Sequence, residues 1–210
     1  ALSEQLSLKG AAVIVADINF EGAQQVVSRI TNGGGRARAV HLDVSRPDDV
    51  NKLIDDTASE YGRLDYMFNN AGIAVGGEVR DLTLEHWLRI INVNLLGVIY
   101  GTTSAYSLMV RQGSGHIVNT ASLGGLIGEP ISIPYAASKF AIVGLSWTLR
   151  VEAADLGVKV SVVCPGFVQT SIWDAPILNV KKEDVPKTPF KMMDATKGAR
   201  CILKGVERNK

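Results

Sequence analysis

Cysteine is scarce in this chain, with only Cys164 and Cys201 present. Neither has a second cysteine or a histidine at ligand spacing, which excludes a zinc ribbon, a dithiol motif and a disulfide framework. Both are expected to be buried free thiols, a usage that suits a reducing compartment. The start of the chain shows no basic stretch leading into an apolar core and a small-residue cleavage site, so cytoplasm is the expected location. The three histidines, His41, His86 and His116, also lack ligand spacing. No metal site is therefore expected, and no zinc-dependent mechanism. An uninterrupted apolar run of about 18 residues is absent too, so no spanning helix and no membrane partner are expected. Charge of one sign does not dominate: 22 basic and 21 acidic residues give a net charge of +1. That balance offers no polyelectrolyte footprint for nucleic acid and points toward small-molecule chemistry.

What is present is ordinary globular composition, 46% hydrophobic and 20% charged over 210 residues. Such a chain can bury one substantial core, so residues 1–210 are expected to form a single domain. The run AAVIVA at 11–16 is continuously apolar and bounded by Gly10 and Asp17, as expected of a strand covered on both faces. A helix follows over 19–32, closed by glycines 33 to 35. The unit then repeats, with a strand from Ala37, a helix from Pro47 and a strand from Leu64. A long helix from about Leu84 to Arg111 precedes the strand HIVNTAS. A helix from about Pro134 to Leu156 and the strand VKVSVVCPG complete the series. Strands joined through helices make parallel neighbours, so the expected fold class is α/β, a doubly wound parallel sheet in a three-layer α/β/α arrangement.

Ligands of such sheets sit at the carboxyl ends of the strands. The residues standing there are Asp17, Asp43, Asn69 to Gly72, Ser122, and Pro165 to Thr170. Residues 171–190 follow, with three prolines and no clear period, and are expected to form a binding loop. Ile172, Trp173, Ile177 and Leu178 in it read equally as substrate contacts or as helical turns lying on the core.

Tyr135 and Lys139 in YAASK are four apart on a helix and share a face. An ammonium beside a phenol favours the phenolate, which moves the tyrosine toward proton exchange near neutrality. The same spacing also describes a surface pair. Ser122, at the end of HIVNTAS and at the same edge of the sheet, places a hydroxyl where it can polarise a carbonyl, although a strand-end serine also caps turns.

With the strand-end motifs included, the chain resembles the short-chain dehydrogenases/reductases, a Rossmann-like family. The agreement runs through Asp17, the pair Asp43 and Val44, NNAG (Asn69 to Gly72), NLLG (Asn94 to Gly97), Ser122, YAASK and PGFVQT (Pro165 to Thr170). The resemblance implies a catalytic set of Asn94, Ser122, Tyr135 and Lys139. Tyr135 would be the general acid/base, Lys139 would lower its pKa and hold the nicotinamide ribose, and Ser122 would orient the substrate oxygen. Asn94 would bend the long helix and hold a water. Asn92, which does not stand three residues before a glycine, is expected on the helix face.

The cofactor implied is NAD in preference to NADP, because a carboxylate at Asp17 would accept both adenosine ribose hydroxyls and repel a 2′-phosphate. A turn acid is the alternative for Asp17. Asp43 and Val44 would contact the adenine, and Ile18 would also touch the cofactor. Asn70, Ala71 and Gly72 would run beside the adenosine ribose, and Pro165, Gly166, Val168 and Thr170 would face the nicotinamide.

The family's first strand and its TGxxxGxG turn, which would hold the pyrophosphate, are not in this chain, which opens at ALSEQLSLKG; its last strand is absent as well. The expectation is that the chain is part of a longer polypeptide, incomplete at both ends, with a slot between strands where the first would lie. The expected activity is interconversion of a secondary alcohol and a ketone by hydride transfer to or from a nicotinamide. A non-catalytic scaffold that binds a partner is the alternative. A small hydrophobic alcohol or carbonyl substrate is expected, with glycines 124, 125 and 128 leaving room for it. The two long helices resemble the pair through which family members dimerise, so a homodimer is expected, with a homotetramer open.

Overall fold

The computed structural model describes residues 1–180 and 191–209. The element order is α1 (Leu2–Ser7), β1 (Ala12–Asp17), α2 (Phe20–Asn32), β2 (Arg36–His41), α3 (Pro47–Tyr61) and β3 (Tyr66–Asn69). Then come α4 (Leu84–Ile90), a π-helical segment (Ile91–Leu96), α5 (Gly97–Gln112), β4 (Gly115–Thr120), α6 (Ile133–Glu152), β5 (Val158–Val163) and α7 (Ala195–Glu207). Local chemistry sets the boundaries. The Asn19 side chain caps α2 by accepting the Gly22 N–H at 2.9 Å, satisfying one of the free amides of the first turn. Pro47, Asp48 and Asp49 open α3, where a ring-fixed φ and negative charge suit the positive helix end. Gly62 ends that helix in the left-handed conformation at φ 75°, which glycine adopts without strain.

All strand pairs are parallel, with Asp17 opposite His41, Asn69 opposite Asn119 and Thr120 opposite Val163. The fold is Rossmann-like, and its parallel sheet is interrupted. Two sheets are present, β1–β2 and β3–β4–β5, and among the described residues no strand hydrogen-bonds to the free edges of β1 and β3. That is where the slot was anticipated. The interruption also explains why β1, expected to be covered on both faces, buries only Val13.

Helices cover the strands in two groups. Contacts join α1 to α2 and α7, while α3 packs on α5 and the π segment on α6. The main core forms where Val50 and Ile54 of α3 meet Ala105 and Met109 of α5, above Ile117, Val158 and Val160 of the sheet. By length and composition alone the continuous helix Leu84–Gln112 could cross a membrane. Its Gly97, Val98, Gly101, Thr102, Ala105 and Met109 are buried instead against the protein. The close approach explains the small residues: a Cβ on Gly97 would stand 2.8 Å from Val44 Cγ2, too near for any side chain.

Candidate active site

The carboxyl ends of β3 and β4 and the first turns of α6 bring Asn94, Ser122, Tyr135 and Lys139 together. Asn94 lies in the π segment and is fully buried. Its Oδ1 accepts the Ile73 N–H at 2.9 Å, and its Nδ2 donates to Ile73 O at 2.9 Å and to Ser138 Oγ at 3.3 Å. A π turn adds a residue to the helix and is a common device for aiming one side chain. Here it aims the amide at the loop that follows β3. Asn92, two residues earlier, is exposed, as expected of a helix-face residue.

Lys139 is buried, at 3% exposure, and its Nζ donates to Thr120 O at 2.8 Å. The same Nζ lies 5.5 Å from the centroid of the Tyr135 ring, within range of a cation–π attraction. Burial pushes the ammonium down to about 8, with Cys164 opposing the shift. A Cβ on Gly72 would stand 3.5 Å from Lys139 Nζ and 3.6 Å from Asn94 Oδ1. The Gly72 backbone therefore passes close to both side chains.

The capping reading of Ser122 holds. Its Oγ accepts the Gly124 N–H at 3.2 Å, capping the short turn Leu123–Gly125, and its hydroxyl hydrogen-bonds to Tyr135. The Leu123 N–H donates to Pro165 O at 2.8 Å, which ties this turn to the end of β5.

Tyr135 corrects one expectation. Its phenol is held above its ordinary value, chiefly by burial, with the Ser122 hydrogen bond lowering it and the Glu129 carboxylate raising it. Lys139, expected to lower it, lies over the ring, 5.5 Å from its centroid, and donates to Thr120 O. Desolvation of the phenolate is the larger effect.

The arrangement can move a proton: a phenol and a serine hydroxyl interact, with an ammonium beside the ring. Residues 1–177 of the chain match the family model described as short chain dehydrogenase. The chain belongs to the short-chain dehydrogenase family. This dehydrogenase is similar to a cyclohexanol dehydrogenase of Acinetobacter sp. (strain SE19), 39% identical over 170 residues that make up 80% of this chain and 67% of that protein. It is also similar to a D-threitol dehydrogenase of Mycolicibacterium smegmatis, 30% identical over 207 residues, 97% of this chain and 80% of that protein. A solved structure of a gluconate 5-dehydrogenase from Burkholderia cenocepacia in complex with NADP and tartrate superposes with a TM-score of 0.76 at 29% identity. The match covers 81% of this chain and 67% of that one. The family is one of nicotinamide-dependent oxidoreductases, and this dehydrogenase acts on CH–OH groups.

The other site residues line the same edge of the dehydrogenase. Asp17 is exposed at the end of β1, where its Oδ1 accepts the Asn19 N–H at 2.9 Å. The acid thus does shape its turn, with one oxygen, and the neighbouring Ile18 is exposed. Asp43 Oδ1 accepts the Ser45 N–H at 2.9 Å and the Ser45 hydroxyl at 2.7 Å, which hold its carboxyl below the usual range. Val44 is half-buried against Gly97. Asn70, Ala71 and Gly72 are exposed beyond β3, and Asn70 Oδ1 accepts the Thr120 hydroxyl at 3.1 Å. Beyond β5, Gly166 and Thr170 are exposed, and Val168 O accepts the Trp173 indole N–H at 2.8 Å.

The loop expected over 171–190 is described as far as Val180, and 181–190 lie outside the described residues. Ser171–Asp174 form one short 3₁₀ turn, where Trp173 stacks on Phe167 at 5.6 Å. Beyond it the Gly76 N–H donates to Pro176 O and the Leu178 N–H to Gly76 O, each at 2.9 Å, so this stretch is fastened to the segment after β3. The glycines expected to leave room divide in role. Gly125 lets α6 approach, since its Cβ would stand 2.7 Å from Lys139 O, while Gly128 faces open space. The cysteines correct another expectation: Cys164 is half-buried beside Lys139, and Cys201 is exposed on α7. Sequence reasoning missed Ile73, Thr120 O and Glu129, which act through a backbone group or from a loop with no motif.

Proposed function

We propose that this dehydrogenase interconverts a secondary alcohol and its ketone with Tyr135 as the general acid/base. The observation that carries the proposal is the hydrogen-bonded pair Ser122 and Tyr135, with Lys139 Nζ 5.5 Å from the phenol ring. In oxidation the substrate O–H proton passes to the Tyr135 phenolate oxygen as the carbinol C–H electron pair leaves with its hydrogen. In reduction Tyr135 returns that proton to the carbonyl oxygen. Ser122 orients this oxygen, Lys139 holds positive charge beside the phenol, and Asn94 holds the loop that bears Gly72. The nicotinamide, when bound, accepts or supplies the hydride.

The residues suited to hold the cofactor are Asp17, Ile18, Asp43 and Val44 at the adenosine end, Asn70, Ala71 and Gly72 between, and Lys139 with Pro165, Gly166, Val168 and Thr170 at the nicotinamide end. NAD is preferred in this reading, because the second Asp17 oxygen is free to accept a ribose hydroxyl and its charge repels a phosphate. The similar gluconate 5-dehydrogenase holds NADP, so a direct comparison of the two cofactors decides the matter. A small alcohol of the kind named for the cyclohexanol and threitol dehydrogenases suits the exposed apolar Leu126, Ile127 and Ile133 in the chain between Ser122 and Tyr135. The exposed Leu84, Leu88, Trp147 and Val151 of α4 and α6 suit a second copy of the chain, as a homodimer.

Reduced nicotinamide formation on adding a secondary alcohol and NAD to the full-length protein tests the proposal. Turnover with NAD above that with NADP is expected. Absence of NADH binding, followed by fluorescence, would contradict it.

A further inference from the structure

We propose that Glu129 is a specificity-determining residue that selects alcohols carrying a second hydroxyl beside the reacting carbon and excludes those carrying a carboxylate there. The inference rests on the proposed alcohol chemistry and adds the substrate class. Glu129 lies in the loop between β4 and α6, and a solvated surface acid would be the ordinary expectation for it. Its position is otherwise. A Cβ built on Gly124, which is buried, would stand 2.6 Å from Glu129 Oε2 and 3.6 Å from Tyr135 Cε1. The carboxylate and the phenol ring thus border the same small space, and glycine at 124 is what admits the carboxylate to it. Glu129 is itself half-buried. Among the described residues it has neither a hydrogen-bond donor nor a cation as partner, whereas Glu4, which is also half-buried, is ion-paired with Arg29.

An ionised carboxylate accepts hydrogen bonds and donates none. Partly removed from water, it gains from a donor on the ligand and is penalised by a second anion. Its charge raises the pKa of the Tyr135 phenol, in keeping with the two side chains bordering one space at Gly124. A neutral hydroxyl on the adjacent carbon of a substrate held by Ser122 and Tyr135 supplies such a donor. The same loop and the first residue of α6 carry the exposed apolar side chains Leu126, Ile127, Ile131 and Ile133, which suit a hydrocarbon body. A vicinal diol, or the corresponding hydroxyketone in the reverse direction, meets both demands.

The test measures kcat/KM of the full-length protein with NAD for three probes on one skeleton: vicinal cyclohexanediol, cyclohexanol and ortho-hydroxycyclohexanecarboxylate. The wild-type diol-to-monoalcohol ratio is expected to be about tenfold or more, the usual effect of a hydrogen bond to a charged group. Glu129→Leu is expected to bring that ratio near one. Glu129→Gln, which keeps an acceptor oxygen without the charge, is expected to retain most of the diol preference and to raise the carboxylate-to-monoalcohol ratio about tenfold. A wild-type diol ratio near one, or ratios unchanged in both variants, would overturn the assignment of Glu129 while leaving the dehydrogenase chemistry standing. Turnover of neither alcohol would instead contradict the alcohol chemistry, and this inference with it.

Discussion

Asn94 and Ile73 exchange two hydrogen bonds of 2.9 Å, the side-chain amide of one serving as both donor and acceptor for the backbone of the other. The pairing mimics a rung of a β-ladder and fastens the loop after β3 to the π segment, under Gly72 and Lys139. Asn94→Ala would leave the half-buried N–H and C=O of Ile73 without their side-chain partner, at a cost of about 1–3 kcal/mol. Urea unfolding of the variant should show that loss as a lower midpoint, and an unchanged midpoint would mean the loop is held by other contacts. Asn94→Asp, which keeps the acceptor and loses the donor, should fall between.

The elevated Tyr135 phenol predicts the pH dependence. Its phenol form dominates at neutral pH, and oxidation needs the phenolate as proton acceptor. Below its pKa the phenolate fraction rises about tenfold per pH unit, so kcat/KM for alcohol oxidation should climb with pH at that slope where chemistry limits the rate. Carbonyl reduction, which uses the phenol, should stay level over the same range. Oxidation independent of pH between about 6 and 9 would remove Tyr135 as the titrating base.

Gly125 tests the packing of α6 against the turn after Ser122. A methyl there would meet Lys139 O at 2.7 Å and Lys139 Cβ at 3.2 Å. Gly125→Ala should lower stability by about 1–3 kcal/mol and activity with it, because relief requires the segment bearing Lys139 to move. Gly128→Ala, which meets nothing within 4 Å, should be close to neutral in the same thermal melts.

His116 supplies a prediction in acid. It is buried on β4, where its Nε2 contacts Ser161 Oγ at 2.9 Å and its ring stacks with Tyr66 at 5.7 Å. Burial, with Lys159 and Arg150 nearby, pushes its pKa from 6.5 to about 4. The unfolded chain therefore binds more protons than the folded one in that interval, so stability present above 6.5 is lost as the pH falls toward 4. The loss is on the order of 2 kcal/mol. His116→Gln should flatten the fall in melting temperature across that window, and an identical fall in the variant would assign it to carboxylates.

Much of this organisation was legible in the chain because its signals are local. The glycine that ends α3 and the proline and acids that open it stand next to each other in sequence, and the helix through Leu84 to Gln112 was bounded nearly to the residue. The spacing of Tyr135 and Lys139 placed both on one face of α6. Helix α7 was not anticipated. The π segment was legible only as a resemblance at Asn94, since a widened turn leaves no periodic trace over six residues. The division of the sheet between β1 and β3 lies where the family resemblance led a slot to be expected, an expectation that periodicity alone could not have raised. The direction of the Tyr135 shift was misjudged, because adjacency to Lys139 is visible in sequence and burial of the phenol is not. Glu129 reached the site through a loop whose course depends on Gly124, and nothing in its spacing announced it.

The most direct test of the central claim is the single-turnover rate of hydride transfer in Tyr135→Phe, with NADH binding measured alongside. Removal of the hydroxyl should slow oxidation of a secondary alcohol by about 100-fold to 10,000-fold, as expected for loss of a general acid/base, while NADH affinity changes little. A variant that binds NADH and keeps most of the wild-type rate would contradict the account.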